Sequence, residues 1–173
     1  MLQVALIVSV LGLMLAAFLP TFVRELRLSK VSEASENLAR MHASAAAYFA
    51  TEHATERGAA RNCLPPGAGP TPEEPSVEPV EAAWDDTSTL DGQTWSALGF
   101  APARPVRFSY VFEPSAHGCG LRSPEGTYLV TFRATGDLDG DGERSVFERR
   151  AAVDPETGEL VPIGILYVRD RVE

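Results

Sequence analysis

Residues 137–148 read DLDGDGERSVFE and place carboxylates at alternate positions. Numbered as a twelve-residue calcium loop, Asp137, Asp139 and Asp141 take positions one, three and five. Gly142 takes position six, where such a loop must turn sharply. Glu143 then offers its backbone carbonyl at seven, Ser145 binds through water at nine, and Glu148 is the bidentate ligand at twelve. Calcium is a hard cation that takes six to eight oxygens, and this spacing converges several of them. The expected role of the ion is structural, since carboxylates held this close repel one another without it. The plainer alternative is an acidic hairpin turn built on Asp-Gly. The flanks do not suit a helix–loop–helix unit. A strand-like run precedes the loop, and β-branched and aromatic residues follow it, so the sequence predicts a strand–loop–strand site.

Other reactive side chains form no recognisable set. His42 and His53 fall on a long helical pattern, and His117 falls in a connection beside Cys119. Phosphate-binding, dinucleotide-binding, GxSxG and HExxH patterns are absent, so the chain reads as a non-enzyme. Cys63 and Cys119 are its two cysteines. Outside the cytoplasm an even count points to one disulfide, worth about 4 kcal/mol for a loop of this length. Two unrelated thiols are the alternative.

Several short strands must position these groups. PVRFSYVFEP (105–114) alternates, with Val106, Phe108, Tyr110 and Phe112 on one face. TYLVTFRA (127–134) and SVFERRAAV (145–153) follow. LVPIGILYVR (160–169) is a fourth strand, expected to break at Pro162 or Gly164. Asp91 is expected to cap a short helix carrying Trp95 and Leu98, stopped by Gly99. Residues 64–82 hold six prolines, which exclude a regular helix or central strand and predict an extended surface loop. Strands joined by turns predict an antiparallel sheet, and one face needs a cover.

The N-terminal stretch supplies that cover. Residues 1–23 carry no charge before Arg24, and about 20 apolar residues suffice to cross a bilayer as a helix. Residues 24–57 continue without glycine or proline. Leu28, Val31, Ala34, Leu38, Met41, Ala45, Tyr48 and Phe49 form one apolar stripe. Gly58, preceded by Arg57, is the expected stop. A single helix over about 1–56, roughly 80 Å long at 1.5 Å per residue, is the simplest object with this pattern. Pro20 predicts a kink or melted turn near 16–20. Gly12, Ala16 and Ala17 offer small residues where another helix can approach. The predicted fold class is therefore α+β. A long helix packs on a small antiparallel sheet, with residues 58–173 forming an extracytoplasmic domain.

Charge narrows the partners. Of a net −9, residues 1–62 hold six basic and five acidic side chains, and the remainder nine basic and nineteen acidic. An acidic domain argues against nucleic acid, which needs basic patches.

The apolar segment with Gly12 and Pro20, running on as SKVSEASENLARMHASAAAYFATEH, resembles type IV pilins and pseudopilins. WSALGF, PVRFSYVFE and GDLDGDGERSVFE look similar to pilin-like proteins of myxobacteria and their relatives. The resemblance implies a subunit inserted in the inner membrane, cut from a short basic leader and methylated at its new N-terminus. It then joins identical or related pilin subunits, through the inner-membrane pilus assembly machinery, in an extracellular filament. Adhesion, surface motility, DNA uptake and secretion are the functions such pili serve. A leader encoded upstream of Met1 would also hold the N-terminus inside, against the pull of Arg24, Arg27 and Lys30. Aligned by Gly12, the family's usual glutamate falls at Gln3, which is neutral and makes no ion pair with a neighbour's amino terminus. The competing function is a membrane-anchored, extracytoplasmic calcium-binding module that never polymerises.

Overall fold

The structure, a computed structural model, describes residues 2–121 and 129–170; within the first helix, side chains are described at Gln3, Ile7–Leu19 and from Lys30 onward. Helix α1 spans Leu2–Ala50. A small hairpin follows, β1 (His53–Thr55) with β2 (Gly58–Ala60). Next come β3 (Ala68–Thr71), α2 (Leu90–Leu98), β4 (Ser109–Pro114), β5 (Leu129–Gly136), β6 (Ser145–Val153) and β7 (Leu160–Arg169). The last five strands form one antiparallel sheet in chain order, β3-β4-β5-β6-β7. The architecture is α+β.

Helical spacing explains how α1 covers the sheet. Val31, Ala34, Leu38, Met41, Ala45 and Phe49 are all buried, in steps of three and four that keep them on one face. Three of them are small or unbranched, which lets the helix approach the strands closely. Opposite them lie Val130, Phe132 and Ala134 of β5, which alternate with half-buried residues as a one-sided strand must. Phe147 and Ala151 of β6 continue that face. At the far side, Trp84, Trp95, Phe100 and Tyr110 pack edge to face and tilted, with ring centroids 5.3–6.1 Å apart. Leu28, the first residue expected in the stripe, lies outside the described side chains.

Several expectations need correction. α1 ends at Ala50, not near residue 56. Thr51 turns its hydroxyl back to the Ala47 carbonyl at 2.7 Å, and the His53 ring bonds the Tyr48 carbonyl at 2.8 Å. Those bonds occupy the last carbonyls, and Gly58, at φ +108°, serves the hairpin instead of the helix end. The cap of α2 is Thr89, whose hydroxyl accepts from the Gly92 N–H; Asp91 lies in the first turn, where its charge suits the helix dipole. Gly99 ends α2 in the left-handed region, as expected. Only Ser109–Pro114 of the 105–114 run is a strand, although Val106 and Phe108 are buried with it. Residues 127 and 128 of the second expected strand lie outside the described residues. β7 runs on through Pro162, but its pairing to β6 slips at Gly164, which stands at φ +68° between the pairs Arg150–Ile163 and Glu148–Tyr167, so the expected irregularity is a bulge and not an end of the strand.

The proline-rich stretch is more ordered than a surface loop. Ala68–Thr71 pairs with β4 as an edge strand, the one place in a sheet where proline is tolerated. Ser109 donates to the Pro72 carbonyl at 2.6 Å, and Trp95 donates to the Thr71 hydroxyl at 3.0 Å. Val80 and Val106 exchange backbone hydrogen bonds. The segment is a strap across the sheet.

Among the described residues no helix is long and apolar enough to cross a membrane. The expected crossing by residues 1–23 takes in positions whose side chains lie outside the described residues. Pro20, where a kink was expected, lies outside the described side chains.

Candidate functional site

The acidic loop joins β5 to β6. Its pairing closes at Gly136 opposite Ser145, so the loop proper is residues 137–144. Asp137, Asp139 and Asp141 each present a carboxylate oxygen, and these oxygens lie within 4.8 Å of one another. Backbone N–H groups hold two of the three there. Asp137 accepts from Gly140 at 2.7 Å and from Gly142 at 3.2 Å, and Asp141 accepts from Glu143 at 2.8 Å. Gly140 and Gly142 stand at φ +78° and +93°, which the tight turn requires and a side chain would oppose.

What anchors this loop was not visible in the spacing. Leu138 is buried between two outward aspartates and fixes the loop to the core. Arg144 pairs with Glu74 of the proline-rich strap. An alternating Asp-Leu-Asp pattern was the available signal for Leu138. Nothing in the sequence pointed to Glu74.

Strand pairing removes two of the predicted ligands. Glu148 stands opposite Arg133, three residue pairs from the mouth of the hairpin and about 10 Å along the strand. Its carboxylate is held by Arg133 at 3.4 Å and by Arg150 at 2.6 Å, and Arg133 reaches on to Glu113 at 3.5 Å. Glu148 is therefore part of an ion-pair ladder on the sheet and not a twelfth-position ligand. Ser145 is buried and its hydroxyl donates to the Gly136 carbonyl at 3.3 Å, which takes it out of the loop. Glu143 stays in the loop, exposed. Eight residues between paired strands cannot wrap an ion as twelve unpaired ones do. The arrangement left is three carboxylates on one turn, able to hold a metal ion through oxygen.

The remaining predicted positions separate into two groups. Cys63 and Cys119 are joined by a disulfide, with Cα atoms 4.1 Å apart. The bridge ties the start of the proline-rich strap to the β4–β5 connection. Gln3, Gly12, Ala16 and Ala17 lie on the exposed part of α1. There Ile7, Leu11, Leu13, Leu15 and Phe18 expose 53–72% of their surface. Among the described residues, no side chain of the domain covers them.

A polar clamp on α1 also escaped the sequence pattern. Glu33 accepts from the backbone N–H groups of Arg107 at 2.8 Å and Phe108 at 3.3 Å, and from the Tyr110 hydroxyl at 3.3 Å. One turn on, Asn37 donates to the same hydroxyl at 2.8 Å. Burial and the neighbouring Glu33 carboxylate push the Tyr110 phenol well above its ordinary value. It stays neutral and bridges the two helix residues.

Comparison with protein families, with characterised proteins and with solved structures finds no match to this chain.

Proposed function

We propose that this chain is a structural subunit of a type IV pilin-like filament, held in the inner membrane by the apolar half of α1 before assembly and packed through it afterwards. The observation that carries the reading is the exposure between Ile7 and Leu19. Successive helical residues are turned by about 100°, so Val8, Val10, Leu11, Leu13, Met14 and Leu15 spread over about 220° of the helix circumference, and the small Gly12 and Ala16 fall in the remaining arc. Each large apolar side chain gains about 1.5–3 kcal/mol on full burial. A helix apolar all round needs lipid or other helices. The buried face from Val31 to Phe49 supports the same reading, because it seats the second half of α1 on its own domain and leaves the first half free to enter a shared core.

In this reading the acidic loop holds calcium as a structural ion. Oxygens on opposite sides of a calcium ion stand about 5 Å apart, which the 4.8 Å cluster suits. Asp137, Asp139 and Asp141 would hold it, with further oxygens from the loop backbone and water. Without a bidentate glutamate the affinity expected is that of the weak extracellular class, with Kd about 0.1–1 mM. Bound there, calcium supplies the positive charge that the three carboxylates lack.

Crosslinking through single cysteines at Val10 or Phe18, in membranes and in sheared filaments from cells making the full chain, tests the proposal. Ladders of two or more subunits are expected in both fractions. Monomers confined to the membrane would overturn the filament and leave the anchored calcium-binding module. Recovery of the chain free in the aqueous fraction would overturn both.

A further inference from the structure

Beneath α1, the described face of the sheet carries a charged side chain at one position. Along β6 the inward residues are Phe147, Arg149 and Ala151, and Arg149 pairs across the sheet with Phe132. A cation therefore stands where the pattern calls for a hydrophobe, at the bulge between β6 and β7. The Nε of Arg149 is buried and without a hydrogen-bond partner. Above it, α1 presents His42, whose ring meets Phe132 edge-on at 5.8 Å. The Nε2 of His42 is also buried without a partner. Two polar nitrogens left unbonded in one helix–sheet seam is a costly arrangement.

We infer that His42 and Arg149 form an acid-sensitive latch: a proton taken up by the imidazole sets two positive charges against each other under α1 and loosens the helix from the sheet. Among the described residues, the surroundings offer no counter-charge. On α1 the residues one turn away are Leu38, Ala39, Ala45 and Ala46. From β5 the ring faces Phe132, from β6 the charged Arg149, and from β7 the Leu160 backbone. Glu148 points to the opposite face of the sheet, where Arg133 and Arg150 hold it. Burial lowers the affinity of His42 for a proton, the Arg149 charge lowers it further, and the bond to Leu160 only partly opposes them.

The sign follows from linkage. In the unfolded chain the imidazole takes up its proton near the ordinary value of 6.5, whereas in the folded chain it resists to lower pH. Between those two values the unfolded state binds more protons, so stability falls as pH falls. Above 6.5 the latch costs nothing further, and below the folded value the loss levels off. One proton changes the folding equilibrium by at most about tenfold per pH unit. The seat of α1 would thus weaken in mildly acidic surroundings, whatever the chain assembles into.

Melts of the full chain in mild detergent between pH 7.5 and 5.0, with hydrogen exchange over residues 30–50, test the latch. Wild type is expected to lose stability below pH 6.5 and to exchange faster in that segment. In His42→Gln the difference between pH 7.5 and 5.0 should shrink by the His42 contribution. An unchanged pH dependence in that variant would overturn the latch. Titration of the His42 ring by NMR gives a reading that does not need the variant to fold. Protonation below 6.5 supports the latch, and protonation at or above 6.5 overturns it. Arg149→Met should raise the titration point, and an unmoved one would also overturn the pairing.

Discussion

Removing the Glu33 carboxylate tests how α1 is fixed to the domain. In Glu33→Ala the N–H groups of Arg107 and Phe108 lose their acceptor, and so does the buried Tyr110 hydroxyl. Hydrogen bonds to a charged group are worth about 1.5–3 kcal/mol each. Only the bond to Arg107, at 2.8 Å, is short; the other two are 3.3 Å and contribute less. The Arg107 guanidinium, 3.8 Å away, adds little because its side chain is one-quarter exposed. Water reaches part of the vacated space, since the Glu33 side chain is 19% exposed. The net loss expected is about 2–4 kcal/mol. Glu33→Gln keeps an acceptor oxygen and loses the charge, so about 1 kcal/mol is expected there. Urea unfolding of the full chain in mild detergent, followed by tryptophan fluorescence, reads both, because Trp84 packs against Tyr110. A cycle with Tyr110→Phe should show coupling above about 0.5 kcal/mol. An alanine variant within 0.5 kcal/mol of wild type would refute the clamp. So would a glutamine variant as damaged as alanine, because the acceptor would then not matter.

Calcium response separates the acidic loop from the ladder beside it. Asp139→Asn should abolish a rise in melting temperature on adding millimolar calcium. Glu148→Gln should leave that rise intact while destabilising the sheet by about 1–3 kcal/mol, since Arg133 and Arg150 lose their shared carboxylate. Loss of the calcium response in Glu148→Gln would restore it as a ligand. Reduction of the Cys63–Cys119 bridge should lower stability by about 2–4 kcal/mol, seen as a lower melt with reductant than without. An unchanged melt under full reduction would show that the strap holds by its hydrogen bonds alone.

Period and punctuation made much of the fold legible. The stripe from Val31 to Phe49 predicted the buried face of α1, and SVFERRAAV predicted β6 to the residue. Gly99 and the two cysteines carried their roles in their types. The misreadings have a common cause, which is that local spacing does not report what a distant segment offers. Thr51 and His53 ended α1 early by bonding back to carbonyls that no periodicity reveals. The strap 64–82 reads as a loop because prolines forbid a central strand, yet an edge position on β4 was open to it. Spacing placed Asp137, Asp139 and Asp141 correctly together. It misplaced Glu148, because the offset of twelve assumes that the chain stays unpaired to that point.

Pairing sets what the acidic loop can do. A twelve-residue loop gathers its last ligand from the element that follows, so binding the ion can move that element. Here the element that follows is β6, already paired to β5 from Ser145 onward and to β7 from Val146. Moving Glu148 into the loop would break the four pairs that Ser145–Glu148 make with β5, strip Arg150 of its carboxylate and leave Arg133 with Glu113 alone. No gain from one carboxylate ligand offsets that. Ion binding can therefore stiffen residues 137–144, and through Arg144 and Glu74 the strap, without shifting the sheet. The latch under α1 works the other way, since Arg149 and His42 bear on the seam itself. Calcium is expected to alter local exchange in the loop and strap, whereas acid is expected to alter exchange along residues 30–50. A calcium-induced change in α1 would contradict the confinement of the ion's effect to the loop and strap.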